Sequence, residues 1–455
     1  MKMNPKTGTW RSAVVATLGL WLGASCGTSQ LDDSDQPTST QTERAADNET
    51  PAVSENNTPA MATDTMANNT TTDEPGTTEQ QDEAVQVPER PATINDQVAV
   101  EYILEYVVQA QLDEFVTEAA ALDTAVRALA ESPDEAERLD IAQAQWKSAM
   151  TVWQRLELMR FGPTGGTERL GGKALGNFVY IINGANLCMV DQVVARSSYK
   201  EEGWIDDVLT GYNVQGLGAM EYLLFYGGTD SQCKPNHKLI VDGEWDVVKA
   251  DPTQLKTNRF EYAAVLSAKV NSLSQALKAE WTDQAFGSSF AQGSTPYNGY
   301  QSVLDEVFAG LFYLDKKVKD LKLATPLGLT AACEAECQAK VEFPHSGFSK
   351  AALRANLVAA KHIFQGGPQP GFVGLGDLLV EKSADSLAET LAQKIDAAIA
   401  AIDAVEGSLT DAVVQRPGQV QAAYDAVKAI TDDLKGPFVT ILSLTVPAEG
   451  KGDSD

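Results

Sequence analysis

Apolar residues spaced three and four apart constrain this chain more than any other feature. From Leu112 they fall at Leu112, Phe115, Ala119, Leu122, Val126 and Leu129, the stripe of an amphipathic helix. Ser132-Pro133-Asp134 breaks that helix and starts a second, which runs to about Phe161 and carries Trp146 and Trp153 on one face. The same spacing returns over about 257–283 (Phe260, Ala264, Val270, Leu273, Leu277 and Trp281), then over about 297–323, 385–406 and 416–436. Strand signals are sparse. The pattern predicts an all-α protein of helical bundles beginning near Asp96.

Ahead of that point the composition changes. Between Gly27 and Ile94 there are 14 Asp and Glu against only Arg44 and Arg90, with almost no large apolar side chain. Such a segment buries too little surface to offset its ordering entropy, so 27–95 is expected to be a disordered acidic tether. The whole chain of 455 residues carries a formal charge of −28. That excludes nucleic acid as a partner, since no basic footprint for phosphate is present.

Residues 1–26 read as a secretory signal. Lys2, Lys6 and Arg11 form a basic start, and the apolar run Ala13 to Leu22 is too short to span a bilayer. Leu22-Gly23-Ala24-Ser25-Cys26 resembles a bacterial lipobox, with Gly23 where a bulky aliphatic is usual. Lipidation of Cys26 would anchor the protein to a membrane without making it span one. Gly27 is not the aspartate that retains some lipoproteins at the inner membrane, which favours the outer membrane or the periplasm. In such a compartment Cys188, Cys233, Cys333 and Cys337 suggest disulfides, with three connectivities open. Cys333-Glu-Ala-Glu-Cys337 is also open to a thiolate metal reading, although no second pair with zinc-like spacing accompanies it.

The functional candidate is the run Gly216-Leu-Gly218-Ala-Met-Glu221-Tyr-Leu-Leu-Phe225. It reads as one apolar helix with a single carboxylate, which is costly to bury without a partner. Gly216, Gly218 and Ala219 leave its first turn nearly bare, so a ligand or another backbone can approach there. Glu157 follows Trp153 by four residues and Arg160 follows Glu157 by three, so they share a helix face. His345 and Ser346 sit in a loop before a later helix, near Ser349; the plain reading of His345 is a helix-capping loop residue. His237 and His362 read as surface or packing residues. The glycine-rich segment 164–175 lacks the preceding strand and the Gly-Lys-Ser/Thr ending of a phosphate loop. No His-Glu-x-x-His and no Gly-x-Ser-x-Gly occurs, which excludes a zincin protease and the elbow of an α/β-hydrolase.

Taken in order, Glu157-Leu-Met-Arg160-Phe-Gly-Pro163, the Gly216–Phe225 run, Lys322-Leu-Ala-Thr-Pro326-Leu-Gly328, Arg354-Ala-Asn356-Leu and the closing Leu442–Asp455 resemble the imelysin-like family of bacterial envelope proteins over about 96–450. The resemblance implies two related up-and-down helical bundles packed side by side, about 96–285 and about 290–440, with a cleft between them. It also implies a cell-envelope location and a link to iron acquisition. The family was named for an insulin-cleaving metallopeptidase. Its Gly-x-His-x-x-Glu pattern falls on Gly216, Gly218 and Glu221, so glycine stands where the motif has histidine. A catalytic zinc needs about three protein ligands, and the sequence shows no clustered replacement.

The first reading is therefore a non-enzymatic envelope lipoprotein that binds a ligand or a cation such as iron. Carboxylates suit hard cations, and the site would be built from Glu221, Glu157, Arg160, His345 and Ser346. Its expected partners are the membrane, through the anchor, and iron-uptake machinery. The alternatives are a metallopeptidase of the imelysin type and a binder of a surface polymer or partner protein through a cleft lined by Trp146 and Trp153.

Overall fold

The computed structural model describes residues 86–448 apart from 208, 209, 283, 284 and 332. The signal segment with Cys26, the tether up to residue 85 and the end of the tail lie outside the described residues. The first helix, α1, is a continuous rod made of Asp96–Tyr102, a π-helical stretch Ile103–Gln109 and Ala110–Glu131. Asn95 caps it, its side chain accepting the Val98 N–H at 3.0 Å. Ser132 leaves helical geometry ahead of Pro133, and α2 (Ala136–Leu156) follows after a short connection, ending in a 3₁₀ turn at Glu157–Met159.

The chain continues through α3 (Leu187–Arg196), α4 (Gly216–Phe225) and α5 (Pro252–Thr282). Next, α6 joins Tyr300–Leu311 to a π-helical stretch Leu314–Ala324. Then come α7 (Ser349–Gln365), α8 (Leu375–Glu381) and α9 (Asp385–Asp403). Last, α10 (Pro417–Asp433) extends through a π-helical turn, Leu434–Phe438, that is kinked at Gly436. Shorter helices fill the connections, and no strand occurs among the described residues.

Helices α1, α2, α4 and α5 pack as one bundle; the later part of α6 with α7, α9 and α10 forms a second. Helix α2 also packs along α7, which sets the bundles side by side. The buried apolar side chains of both belong to one continuous core, from Phe115, Trp153 and Leu266 to Leu353, Leu391 and Val427. The all-α architecture is what the 3-and-4 spacing predicts, and the arrangement in two bundles is what the resemblance implies.

Trp146 and Trp153 are both fully buried. The Trp146 indole N–H donates to the Leu217 carbonyl at 3.0 Å, and its ring packs edge-on against Phe343 and Phe348 of the second half. These tryptophans are core anchors, which corrects the expectation that they line a polymer-binding cleft. Cys188 pairs with Cys233, tying α3 to the connection after α4, and Cys333 pairs with Cys337. Both sulfurs of the Cys333/Cys337 pair are thus in a disulfide, and the thiolate reading of that pair falls.

Candidate functional site

Helix α4 is apolar nearly all round and buried along almost its whole length, as such a sequence requires. Gly216 opens it at φ +70°, and a β-carbon there would stand 2.3 Å from the Val179 carbonyl oxygen. The chain passing over the helix start is therefore admitted only by glycine. Gly218 differs: a β-carbon there would meet Ala185 and Tyr180 at 3.6 Å, ordinary contact. Gly218 and Glu221 face a groove of about 520 Å³ walled by Tyr180, Leu187, Glu342 and Phe343, with His345 at its edge. The groove lies where α4 meets the loop that leads into α7.

Glu221 is buried, 6% exposed. Its Oε1 accepts the backbone N–H of His345 at 3.0 Å and of Ser346 at 2.8 Å. Burial pushes its carboxyl above the ordinary range; the two N–H donors pull the other way, and the nearby charge of Glu342 adds to the rise. His345 offers this carboxylate its backbone, not its ring. The imidazole packs against the rings of Tyr222 and Tyr226, and burial lowers its pKa. The Ser346 hydroxyl is shielded from solvent beside the Glu221 carboxylate and also pulls its pKa down.

Behind the groove lies a buried polar network that ties the bundles together. The Lys322 ammonium, 1% exposed, donates to Gln154 Oε1 at 2.7 Å and Asn356 Oδ1 at 2.8 Å, and pairs with Glu342 Oε2 at 3.1 Å. Asn356 donates to the Gln154 carbonyl at 2.6 Å. The Tyr180 hydroxyl donates to Glu342 Oε1. Burial raises the pKa of both Tyr180 and Glu342, with the Lys322 charge opposing the rise at Glu342. The Ser349 hydroxyl donates to the Glu342 carbonyl and so fixes the start of α7.

Of the residues singled out in the sequence, the structure brings Glu221, His345 and Ser346 together and places Glu157 and Arg160 elsewhere. Glu157 Oε1 accepts the Trp153 indole N–H at 2.6 Å and an Arg160 guanidinium N–H at 3.2 Å. These two side chains line a separate, smaller pocket with Tyr313. Neither lines the groove beside Glu221, although the charge of Glu157 reaches Tyr180 and Glu342 in its wall. Spacing alone did not single out Gln154, Tyr180, Lys322, Glu342 or Asn356. A signal existed for Asn356, an amide on the apolar stripe Leu353, Leu357, Ala360, and for Lys322, which stands beside Leu323 in a buried stretch. For Tyr180 and Glu342, both in loops, there was none.

The groove does not fit a resident metal. Position 218 offers no imidazole. Glu221 Oε1 is taken by two N–H donors, and Glu342 is already neutralised by Lys322 and bonded to Tyr180. Among the described residues the one place where three His, Cys, Asp or Glu side chains bring ligand atoms together is Cys188, Cys233 and His237. There the two sulfurs are joined, and His237 Nδ1 accepts the Leu239 N–H at 3.2 Å.

The fold is similar to two solved structures. One, described as an iron-regulated protein A precursor from Parabacteroides distasonis ATCC 8503, aligns at TM-score 0.60 and 16% identity, over 78% of this chain and 98% of that one. The other, described as an imelysin-like protein from Psychrobacter arcticum 273-4, aligns at TM-score 0.58 and 14% identity, over 79% of this chain and 100% of that one. A search of curated proteins finds no match. The family model described as Imelysin matches residues 108–435, a span that takes in both bundles and the groove. The chain belongs to the imelysin family.

Proposed function

We propose that this imelysin-family protein is a non-peptidase ligand-binding protein of the bacterial cell envelope, held at a membrane through Cys26 and serving iron uptake through what it binds. One observation carries the reading: the groove between α4 and the α7 loop presents two buried carboxylates, Glu221 and Glu342, without a set of metal ligands. Such a groove suits an organic ligand, with Tyr180, Leu187 and Phe343 for its apolar body. The second oxygen of Glu221 suits a cationic or hydrogen-bond-donating end. A peptidase of the imelysin type would need a metal-bound water, and the residues for it are not assembled.

The iron link rests on the family and on the name of the Parabacteroides relative. The envelope placement rests on the leader, the lipobox-like run before Cys26 and two disulfides. No described helix is long and apolar enough to cross a membrane.

The test is metal content, iron affinity and peptide cleavage of the full chain beside Glu221→Ala. The expected result is metal well below one equivalent and no cleavage in either protein. Stoichiometric metal that disappears in Glu221→Ala would overturn the reading and return the site to cation chemistry.

A further inference from the structure

Resting on the reading of the groove as a site for an organic ligand, we propose that its ligand is an organic cation: a primary ammonium group on an apolar body, with the ammonium seated between Glu221 and Gly218. Six carboxylates are buried among the described residues: Asp123, Glu157, Asp191, Glu221, Asp315 and Glu342. Five of them have a cation. Arg127 pairs with Asp123 at 2.9 Å, Arg160 with Glu157 at 3.2 Å, Lys319 with Asp315 at 3.0 Å and Lys322 with Glu342 at 3.1 Å. The charge of Arg259 acts on Asp191. Glu221 is the exception: among the described residues no lysine, arginine or histidine side chain forms an ion pair with it. Its donors are the N–H groups of residues 345 and 346 and the Ser346 hydroxyl, all neutral. The strongest charge acting on it is that of Glu342, which has the same sign. A buried carboxylate without a counter-charge is costly, and this one borders a space open to a ligand.

The space beside it has room for the missing charge. Gly218 precedes Glu221 by three residues, so the two share a helix face. A β-carbon at position 218 would stand 3.6 Å from Ala185 and from the Tyr180 ring. The absent side chain therefore leaves a gap next to the carboxylate, walled by a methyl group and an aromatic ring. The Tyr180 hydroxyl is already given to Glu342, so Tyr180 offers a ligand its ring, which attracts a cation. That ring stacks on Phe343 at 5.6 Å, and the two rings with Leu187 form a wall for an apolar body. A carboxylate has about four acceptor sites, so Glu221 can take an ammonium N–H besides its neutral donors, and such a charge-assisted bond is the stronger kind.

The mouth of the groove sets the ligand's polarity. Lys340 lies on its exposed rim and repels a second cation there, so the ammonium end goes inward and the outer end is neutral or acidic. The volume of about 520 Å³ lies within the range of small-molecule sites.

The test is titration calorimetry of the full chain, freed of metal by a chelator, with three probes that share one body: phenethylamine, phenethyl alcohol and phenylpropionate. We expect saturable binding of the amine about ten-fold or more tighter than the alcohol, as one charge-assisted bond implies, with the anion weakest. Glu221→Gln keeps an acceptor oxygen for the loop and removes the charge. It should bring the amine down to the affinity of the alcohol and leave the alcohol unchanged. Gly218→Leu fills the gap and should weaken both. N-acetyl-lysinamide run in parallel separates the sources: tighter binding than phenethylamine marks a lysyl side chain of a peptide, and weaker binding marks a free amine. No saturable binding of the amine at millimolar concentration, an amine no better than the alcohol, or an advantage that persists in Glu221→Gln would overturn the proposal. Alcohol and amine binding equally would still leave the groove an organic-ligand site, whereas that broader reading falls only on stoichiometric metal lost in Glu221→Ala.

Discussion

Glu221 is a carboxylate that holds a loop. One of its oxygens receives two backbone N–H groups from residues 345 and 346, which belong to the other half of the chain. Removing the side chain leaves both donors without their partner, and a buried unsatisfied donor costs about 1–3 kcal/mol. Glu221→Ala should therefore lose about 2–4 kcal/mol in denaturant unfolding, whereas Glu221→Gln, which keeps an acceptor oxygen, should lose much less. Equal losses would mean that the charge and not the acceptor matters.

The pH dependence has a definite sign. The folded-state pKa lies above the unfolded one because of burial. The native protein then holds more protons across that window, and stability falls as pH rises through it. Lowering the pH from neutrality toward about 4 should move the stability difference between parent and Glu221→Gln in the parent's favour; a flat difference would contradict this. At Gly218 a β-carbon would make only ordinary contacts, with Ala185 and Tyr180 at 3.6 Å. Gly218→His should fold with stability within about 1 kcal/mol of the parent, since glycine inside a helix is itself unfavourable. It should also gain measurable zinc or iron affinity, because residues at i and i+3 share a face. An unfolded variant would show that the groove wall is closed at this position.

At the level of helices, Lys322 connects three of them: α6 supplies it, α2 supplies Gln154 and α7 supplies Asn356, with Glu342 on the loop between. Lys322→Met would strand Glu342 as an uncompensated buried charge and cost about 3–5 kcal/mol. Adding Glu342→Gln should recover a large part of that. The coupling read from the double-mutant cycle by denaturant unfolding should exceed about 1 kcal/mol; strict additivity would show that the two do not act as a pair. Helices of this kind were legible in sequence because core burial writes a period into them: the stripe from Leu112 to Leu129 and the break at Ser132-Pro133 survive into α1 and α2. The site was legible only where motif residues fell close together in the chain, as with Gly216 to Glu221. What joins Glu221 to residue 345, or Tyr180 to Glu342, is a contact across more than a hundred residues that no local period encodes. The same limit explains Glu157 and Arg160. Their common face was read correctly, but which space that face borders is set by how α2 meets α6.

For the molecule as a whole, the two bundles are not two independent folding units. Helix α2 packs on α1 and α4 and also on α7, and the buried apolar residues of both bundles form one continuous cluster. Separating them would expose the α2–α7 contact and Trp146 packing on Phe343 and Phe348. It would also part Gln154 from Lys322 and Asn356, and Tyr180 from Glu342. Each large apolar side chain returned to water costs about 1.5–3 kcal/mol, and the orphaned polar groups add to that. The sum rivals the net stability of about 5–15 kcal/mol of an ordinary domain, so half a molecule has little left to stand on. The full chain should therefore unfold in one cooperative transition, with fluorescence of the buried tryptophans and far-ultraviolet circular dichroism tracking together. A fragment ending near residue 285 should lack a cooperative transition of its own. Two separated transitions, or a folded fragment, would show that each bundle carries a sufficient core, and that the groove beside α4 is a hinge between domains instead of a fixed feature of one.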